Sequence, residues 1–275
     1  MPKDPHLTLT DRLERISSRS NARVKELRRG FHEGAPNERQ EVAVEGLHLL
    51  EEAIRSGLRF STVFFSESAI DRAGKLLPQL PKQTETFLLP DDVFSSAVPT
   101  ETPQGIAAMV KVRPYSFADV FEAKNALLVI AAGLQDPGNL GTIARAGEAF
   151  GATGLILAEN TVSAWNWKTV RASAGSLFRL PSVKTKLADA ITELKKRGIA
   201  VLATSSHKGR IIAEADLAKP IALMIGNEGS GVSKDVLAQA DEVIVIPHSE
   251  KVESLNAAIA AAVVLYEASR QRQQR

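Results

Sequence analysis

The 275-residue sequence predicts an α/β fold whose C-terminal part is built on a parallel sheet. Three observations lead there. "ALLVIAAGL", "GLILA", "GIAVLATSS", "IALMIGN" and "EVIVIPH" are short runs with no polar face. Helical segments, "NWKTVRASAGSLF", "LADAITELKKRG" and "SKDVLAQA", stand between them. Strands apolar on both faces that alternate with helices form a parallel sheet covered on both sides. The third observation is a change of texture: before residue 112 the pieces are less regular. The expected organisation is a small N-terminal α/β domain at 1–112, a linker at 113–125 and a larger domain at 126–275.

In the first domain, "NARVKELRRGF" reads as a basic helix. "EVAVEGLHLLEEAIRSG" reads as a strand running into an amphipathic helix that ends at Gly57. β-branched and aromatic residues make "FSTVFFSES" a strand. "PYSFADVFEAKN" is the linker, with about one helical turn.

Composition limits the function classes. Apolar residues at 44% and charged residues at 24% describe a folded globular chain. A formal net charge of +2 does not by itself call for a polyanionic partner, so the placement of charge matters more than its sum. The absence of cysteine removes disulfides, thiolate nucleophiles and Cys-based zinc sites, and suits a reducing compartment. The polar start "MPKDPHLTLTDRLERIS" lacks a signal core. The longest apolar run, "AAIAAAVVLY", is about half of the ~20 residues that cross a bilayer. A cytoplasmic protein without membrane contact is expected.

Three glycine-bearing turns follow apolar strands. "LVIAAGLQDPGNLGTIARAGEAFG" has the strand, turn and helix of a phosphate cradle. Its glycines Gly133, Gly138, Gly141 and Gly147 do not make the G-x-G-x-x-G of a dinucleotide site, and no Gly-Lys-Ser or Gly-Lys-Thr follows. An NAD(P)-dependent oxidoreductase and a P-loop enzyme are thereby disfavoured. The turn instead brings an amide, Asn139, and a guanidinium, Arg145, to the start of a helix; on spacing alone, a tight βα turn with a surface arginine serves equally well. In "IALMIGNEGSGVSKDVL", the glycines Gly226, Gly229 and Gly231 offer backbone N–H groups, but the Glu228 carboxylate repels a phosphate. A plain loop with Ser233 as N-cap is the other reading. In "EVIVIPHSEKVESLNAAIAAAVVLYEASRQR", Ser254 taken alone is a helix N-cap.

Together "DPGNLGTIARAGEAFG", "MIGNEGSGVS" and "IPHSEKVESLNAAIAAAVVLYE" resemble, in order, the signature motifs of the SpoU branch of the SPOUT superfamily, S-adenosylmethionine-dependent RNA ribose 2′-O-methyltransferases. "VRASAGSLFRLP" is similar as well. More loosely, "ISSRSNARVKELRR" and "VEGLHLLEEA" resemble a ribosomal-protein-like RNA-binding domain. The resemblance implies a trefoil knot in the C-terminal domain and a homodimer. It implies S-adenosyl-L-methionine as cofactor and structured RNA as substrate, ribosomal RNA ahead of tRNA, with a non-catalytic RNA-binding assembly factor as the rival. It places the adenosine at Gly226, Ile246, Leu255 and Thr204, with Asn256 beside them. Arg145, Asn139, Glu228, Ser254 and Asn256 take the polar positions around the reacting groups.

RNA has two candidate contacts. Arg15, Arg19, Arg23, Lys25, Arg28 and Arg29 cluster, and the spacing of the first three predicts one helical face if the segment is helical. A merely solvated face is the alternative. Trp165, Trp167, Lys168 and Arg171 combine aromatic faces with charge, as unstacked bases require, although buried tryptophans explain the first two equally well. His207 and His248 lie near strand ends without ligand spacing, so no metal is expected.

Overall fold

The computed structural model describes residues 12–227 and 237–274. The chain divides into two compact units: residues 1–114 with 165–178, and residues 115–164 with 179–275.

The first unit carries a mixed five-stranded sheet, ordered β1 (Glu14–Arg15), β4 (Glu85–Leu89), β3 (Arg59–Ser66), β5 (Ile106–Lys111) and β2 (Glu41–Glu45). β3 runs parallel to β4 and antiparallel to β5. Helix α1 (Ala22–Glu33) covers one face; its Val24, Leu27 and Phe31, at spacings of three and four, enter a core with Phe64, Phe87, Phe94 and Met109. A Cβ at Gly30 would stand 3.0 Å from the Cβ of Ala43, so the missing side chain lets α1 lie close on β2. Helix α2 (Leu47–Arg55) follows β2, and short helices α3 (Ile70–Leu76) and α4 (Asp91–Ser95) lie between the later strands.

Arg15, Arg19 and Arg23 do not share a helical face. Arg15 is in β1, Arg19 is in a turn, and α1 begins only after Asn21, whose side chain accepts from the Arg23 N–H at 2.8 Å. A hydroxyl contact between Ser18 and Ser20, 2.7 Å long, helps hold the turn that forestalls an earlier helix start.

After the short helix α5 (Phe117–Val120), the second unit carries a wholly parallel seven-stranded sheet. Its order is β10 (Arg210–Ile211), β12 (Glu242–Val245), β9 (Ala200–Ser205), β11 (Ile221–Ile225), β6 (Leu127–Ala131), β7 (Gly154–Leu157), β8 (Ser182–Lys184). The last strands are inserted rather than appended: β11 enters between β6 and β9, and β12 between β9 and β10. Helix α6 (Pro137–Ala149) follows β6, and α8 (Leu187–Lys196) packs Leu187, Ala190, Ile191 and Leu194 onto the sheet core. Between them in sequence comes α7 (Trp167–Ser173), which the sequence pattern groups with the second region but whose contacts place it in the first unit. The chain's last helix, α9 (Ala257–Gln273), packs along α6.

The far end of α9 is tied down by Arg272, whose guanidinium donates to the carbonyls of Leu217 (3.1 Å), Asn125 (2.7 Å), Ala126 (3.0 Å) and Lys219 (2.7 Å). Burial lowers the affinity of this group for its proton. Among the described residues no helix is long and apolar enough to cross a membrane.

Candidate active site

The carboxyl ends of β9, β11 and β12 lie side by side, and open parallel sheets bind ligands outside that edge. A cavity of about 480 Å³ opens there, and Thr204, Gly226, Ile246, Ser254, Leu255 and Asn256 line it. That volume is within the ~300–1,000 Å³ usual for small-molecule and cofactor sites. Thr204, Gly226 and Ile246 come from three separate strand ends and the other three from the segment leading into α9, so they meet only because β11 and β12 are inserted on either side of β9. Thr204 is braced from below, its hydroxyl donating to the Met224 carbonyl at 3.3 Å.

Asn256 has two jobs. Its Oδ1 accepts from the N–H groups of Ala258 (2.9 Å) and Ile259 (3.2 Å), so it is the N-cap of α9. Its Nδ2 donates to Asn139 Oδ1 at 3.0 Å, joining the start of α9 to the start of α6. Ser254 is therefore not the cap. It precedes the helix by two residues and faces the cavity, because the apolar phase Ala258, Ala261, Val264, Leu265 and Ala268 fixes the helix start at Asn256.

Asn139 itself is held by the local turn. Asp136 caps α6 and accepts from the Asn139 N–H at 2.6 Å, and Pro137 occupies the first helical position, where its missing N–H costs nothing. Arg145 lies further along α6. It is exposed and does not line the cavity. Six residues along a helix of 3.6 per turn separate it from Asn139 in direction as well as distance. Glu228, Gly229, Gly231 and Ser233 lie outside the described residues.

Sequence reasoning passed over Asn227 and noted His207 and His248 only as histidines near strand ends, yet all three line the cavity. Asn227 donates from Nδ2 to the Gly133 carbonyl at 2.9 Å, tying the second turn to the end of β6. The rings of His207 and His248 stack with centroids 5.8 Å apart, and both residues line the cavity. His248 Nδ1 faces the carbonyl of Ile246 at 2.8 Å. A carbonyl only accepts, so Nδ1 carries a proton, and in the neutral ring Nε2 is an acceptor. Nε2 is buried and has no hydrogen-bond partner among the described residues. An orphaned acceptor of this kind costs about 1–3 kcal/mol and suits a ligand that brings donors. S-adenosylmethionine brings an amine, hydroxyls and an ammonium, and the mixed polar and apolar lining also fits its adenosine. Among the described residues, no group of three His, Cys, Asp or Glu side chains converges as a metal site would require.

Most of the basic cluster is engaged. Arg15 pairs with Glu67 (3.2 Å) and Arg19 with Asp92 (2.7 Å); Arg23 pairs with Glu26 and Glu85; Arg28 bonds to Ser96. Lys25 and Arg29 have no ion-pair partner among the described residues. Trp167 is half-buried against the core of the first unit.

A parallel α/β unit with a cavity at inserted strand ends, preceded by a separate α/β unit, defines a class of cofactor-binding enzyme. The profile of the SpoU rRNA Methylase family matches residues 126–266, and the chain belongs to that family. Residues 21–108 match the MRM3-like substrate binding domain. The chain is 33% identical over 254 residues to the 23S rRNA (guanosine(2553)-2′-O)-methyltransferase RlmP of Bacillus subtilis, covering 92% of this chain and 98% of the relative. The SpoU methyltransferase AviRb from Streptomyces viridochromogenes, solved with AdoMet, superposes with a TM-score of 0.79 at 29% identity, over 92% of this chain and 98% of AviRb. An AdoMet-bound rRNA methyltransferase from Sinorhizobium meliloti gives 0.81 at 28%, over 94% and 98%. The protein is accordingly a methyltransferase that uses S-adenosylmethionine.

Proposed function

We propose that the protein methylates a ribose 2′-hydroxyl in ribosomal RNA. The observation that carries this reading is the cavity at the ends of β9, β11 and β12, lined by Thr204, Gly226, Ile246, Leu255 and Asn256 in a chain of the SpoU family. The preference for ribosomal RNA over tRNA rests on the substrate that the Bacillus subtilis relative's name states.

The cofactor supplies an electrophilic methyl group. The backbone at Gly226, Ile246 and Leu255, with Thr204, holds the adenosine, and His248 Nε2 accepts from one of its donors. Asn256 and Asn139 each offer a donor and an acceptor, which suits orienting a hydroxyl beside the cavity, and Ser254 borders the same place. A guanidinium does not deprotonate in proteins, so Arg145 is no general base. It stabilises the emerging alkoxide or clamps the neighbouring phosphate, while a phosphate oxygen or water takes the proton. The resemblance gives Glu228, which lies outside the described residues, the part of positioning Arg145 or another polar partner.

A homodimer answers two observations together. Ile259 and Tyr266, seven apart on α9 and each 56% exposed, form an apolar strip. Arg145 is exposed on α6, which packs against that helix, and it does not line its own chain's cavity. Arg145 of one chain then serves the cavity of its partner, in a C-terminal domain threaded as a trefoil knot.

The test is twofold. Ribose 2′-O-methylation mapped in total RNA from cells with and without the protein should differ at a position in ribosomal RNA; a difference confined to tRNA would reject the substrate assignment. Arg145→Ala and Asn256→Asp chains, each inactive alone, should regain activity when mixed and re-paired. If no activity returns, each chain uses its own Arg145.

A further inference from the structure

We propose that a hollow in the first unit, walled by α7, receives one unstacked nucleobase of the RNA substrate. The inference rests on the RNA-methylating reading above.

Segment 165–178 is clamped to the first unit at both ends. A Cβ on Gly34 would lie 3.4 Å from the Cα of Asn166, the residue that caps α7. At the other end Gly175 has a φ of +92°, and a Cβ there would stand 2.6 Å from the Glu52 Cβ. Trp167 and Arg171, four apart, share one face of α7, and that face borders a hollow of about 140 Å³.

The floor is apolar, with Phe31 and Val170, and Trp167 adds an aromatic wall. The rim is polar and ordered. Glu45 accepts from the Thr100 hydroxyl at 2.5 Å and from the Gln104 N–H at 3.2 Å, which fixes its carboxylate in place. Gln104 Oε1 accepts from the Leu47 N–H at 3.2 Å, so its amide presents N–H donors outward. Arg171 is exposed and has no ion-pair partner among the described residues, leaving its guanidinium donors available. Lys168, exposed beside it, holds its ammonium 5.5 Å from the Trp167 ring centroid.

This combination selects its ligand. The Glu45 carboxylate repels a phosphate at the rim, and a plain apolar side chain would leave the rim groups unused. A nucleobase has a flat face for the tryptophan and an edge that mixes donors with acceptors, as single-stranded RNA recognition uses them. The Glu45 acceptor favours bases with an exocyclic amino group, adenine, cytosine or guanine, over uracil. Lys168 and Arg171 are free to meet the adjoining phosphates.

Trp165 and Trp167 are the chain's two tryptophans, so Trp165→Phe leaves Trp167 as the sole tryptophan, read by excitation that spares the two tyrosines. In that background, a short mixed-sequence single-stranded RNA should quench the emission to saturation, and an oligouridine of equal length should do so more weakly. A free nucleoside monophosphate that competes would show that the base alone suffices; one that does not would require the base within a strand, and either agrees with the hollow as its seat. Arg171→Ala and Glu45→Gln should each weaken binding of the mixed RNA by roughly tenfold, the equivalent of about 1.4 kcal/mol. S-adenosylmethionine binding by calorimetry should be unchanged in both. If the wild-type chain binds S-adenosylmethionine but no RNA, the RNA reading itself fails. If it binds RNA while Trp167 emission is unmoved and both variants bind normally, the base pocket is refuted and the reading above stands.

Discussion

Asn256 caps α9, and under the proposed function it also orients the reacting hydroxyl; the two roles separate by substitution. Asn256→Ala removes the cap of α9, worth about 1 kcal/mol within a range of ~0.5–2. It also removes the 3.0 Å bond to Asn139, worth about 0.5–1.5 kcal/mol. The sum is roughly 1.5–2.5 kcal/mol. At about 2–4 °C per kcal/mol for a protein of this size, the melting temperature falls by about 3–10 °C. Asn256→Asp keeps an acceptor for the N–H groups of Ala258 and Ile259, and Asn139 can turn its amide to donate. Its cost stays below about 1 kcal/mol. Asn139→Ala leaves the cap untouched and loses only the bridge.

Methyl transfer orders the variants differently. Asn256→Asp is nearly as stable as the parent, yet places a negative charge where the hydroxyl must be oriented, so its single-turnover rate falls far more than its melting temperature. Calorimetric melting and single-turnover transfer from labelled S-adenosylmethionine, measured on the same preparations, give both orders. Equal melting of Asn256→Asp and Asn256→Ala would mean that the cap does not stabilise α9. Parental rates in a correctly destabilised Asn256→Ala would remove the residue from the reacting centre.

Three further outcomes follow from the same geometry. Glu267 receives hydrogen bonds from Arg270, and these, with Gln271 assisting, hold its carboxyl below the usual carboxylate range against the opposing effect of burial. The stabilisation is complete above the ordinary carboxylate value of about 4.3 and is lost as the pH falls through the lower folded value, so Glu267→Gln should flatten the acid end of a stability-against-pH curve; an unchanged acid limb would count against the pair. Ile259→Glu with Tyr266→Glu should convert a dimer to a monomer in light scattering, while a persisting dimer would place the interface elsewhere. Gly175→Ala forces a side chain into a left-handed backbone with a 2.6 Å clash against Glu52, so it should cost more than ~1 kcal/mol in melting and loosen Trp167, seen as a red-shifted emission.

The parallel sheet was legible because its central strands have no polar face. "ALLVIAAGL" and "IALMIGN" can only be buried on both sides, and β6 and β11 are adjacent in its middle. The edge strands β8 and β10 were not, since "SVK" and "RI" are too short and too polar to carry a period. In the first unit β4 and β5 escaped for another reason. "ETFLL" and "IAAMVK" stand among prolines and threonines, and only pairing with strands distant in sequence, β3 between them and β1 and β2 outside, makes them strands. The location of α7 was equally hidden. Its helical phase is visible in the sequence, but the surface it packs on depends on glycines at 34 and 175 that lie far apart in the chain.

The site shows the same division at higher resolution. The resemblance to the family, not residue type alone, pointed to Thr204, Gly226, Ile246, Leu255 and Asn256, and the fold brings all five to one cavity. Ser254 taken alone reads as the N-cap, but the Asn256 side chain is the one that accepts from the first N–H groups of α9. Arg145 was placed at the reacting centre by the resemblance; in the fold it is exposed and does not line its own chain's cavity, because a helix turns residues six apart away from one another. On the proposed reading, an exposed Arg145 on the helix packed along α9, with Ile259 and Tyr266 exposed on α9, is what a site completed by a second chain would leave in one chain seen alone. Under that proposal the motif names residues of the chemistry without saying which chain's cavity they serve.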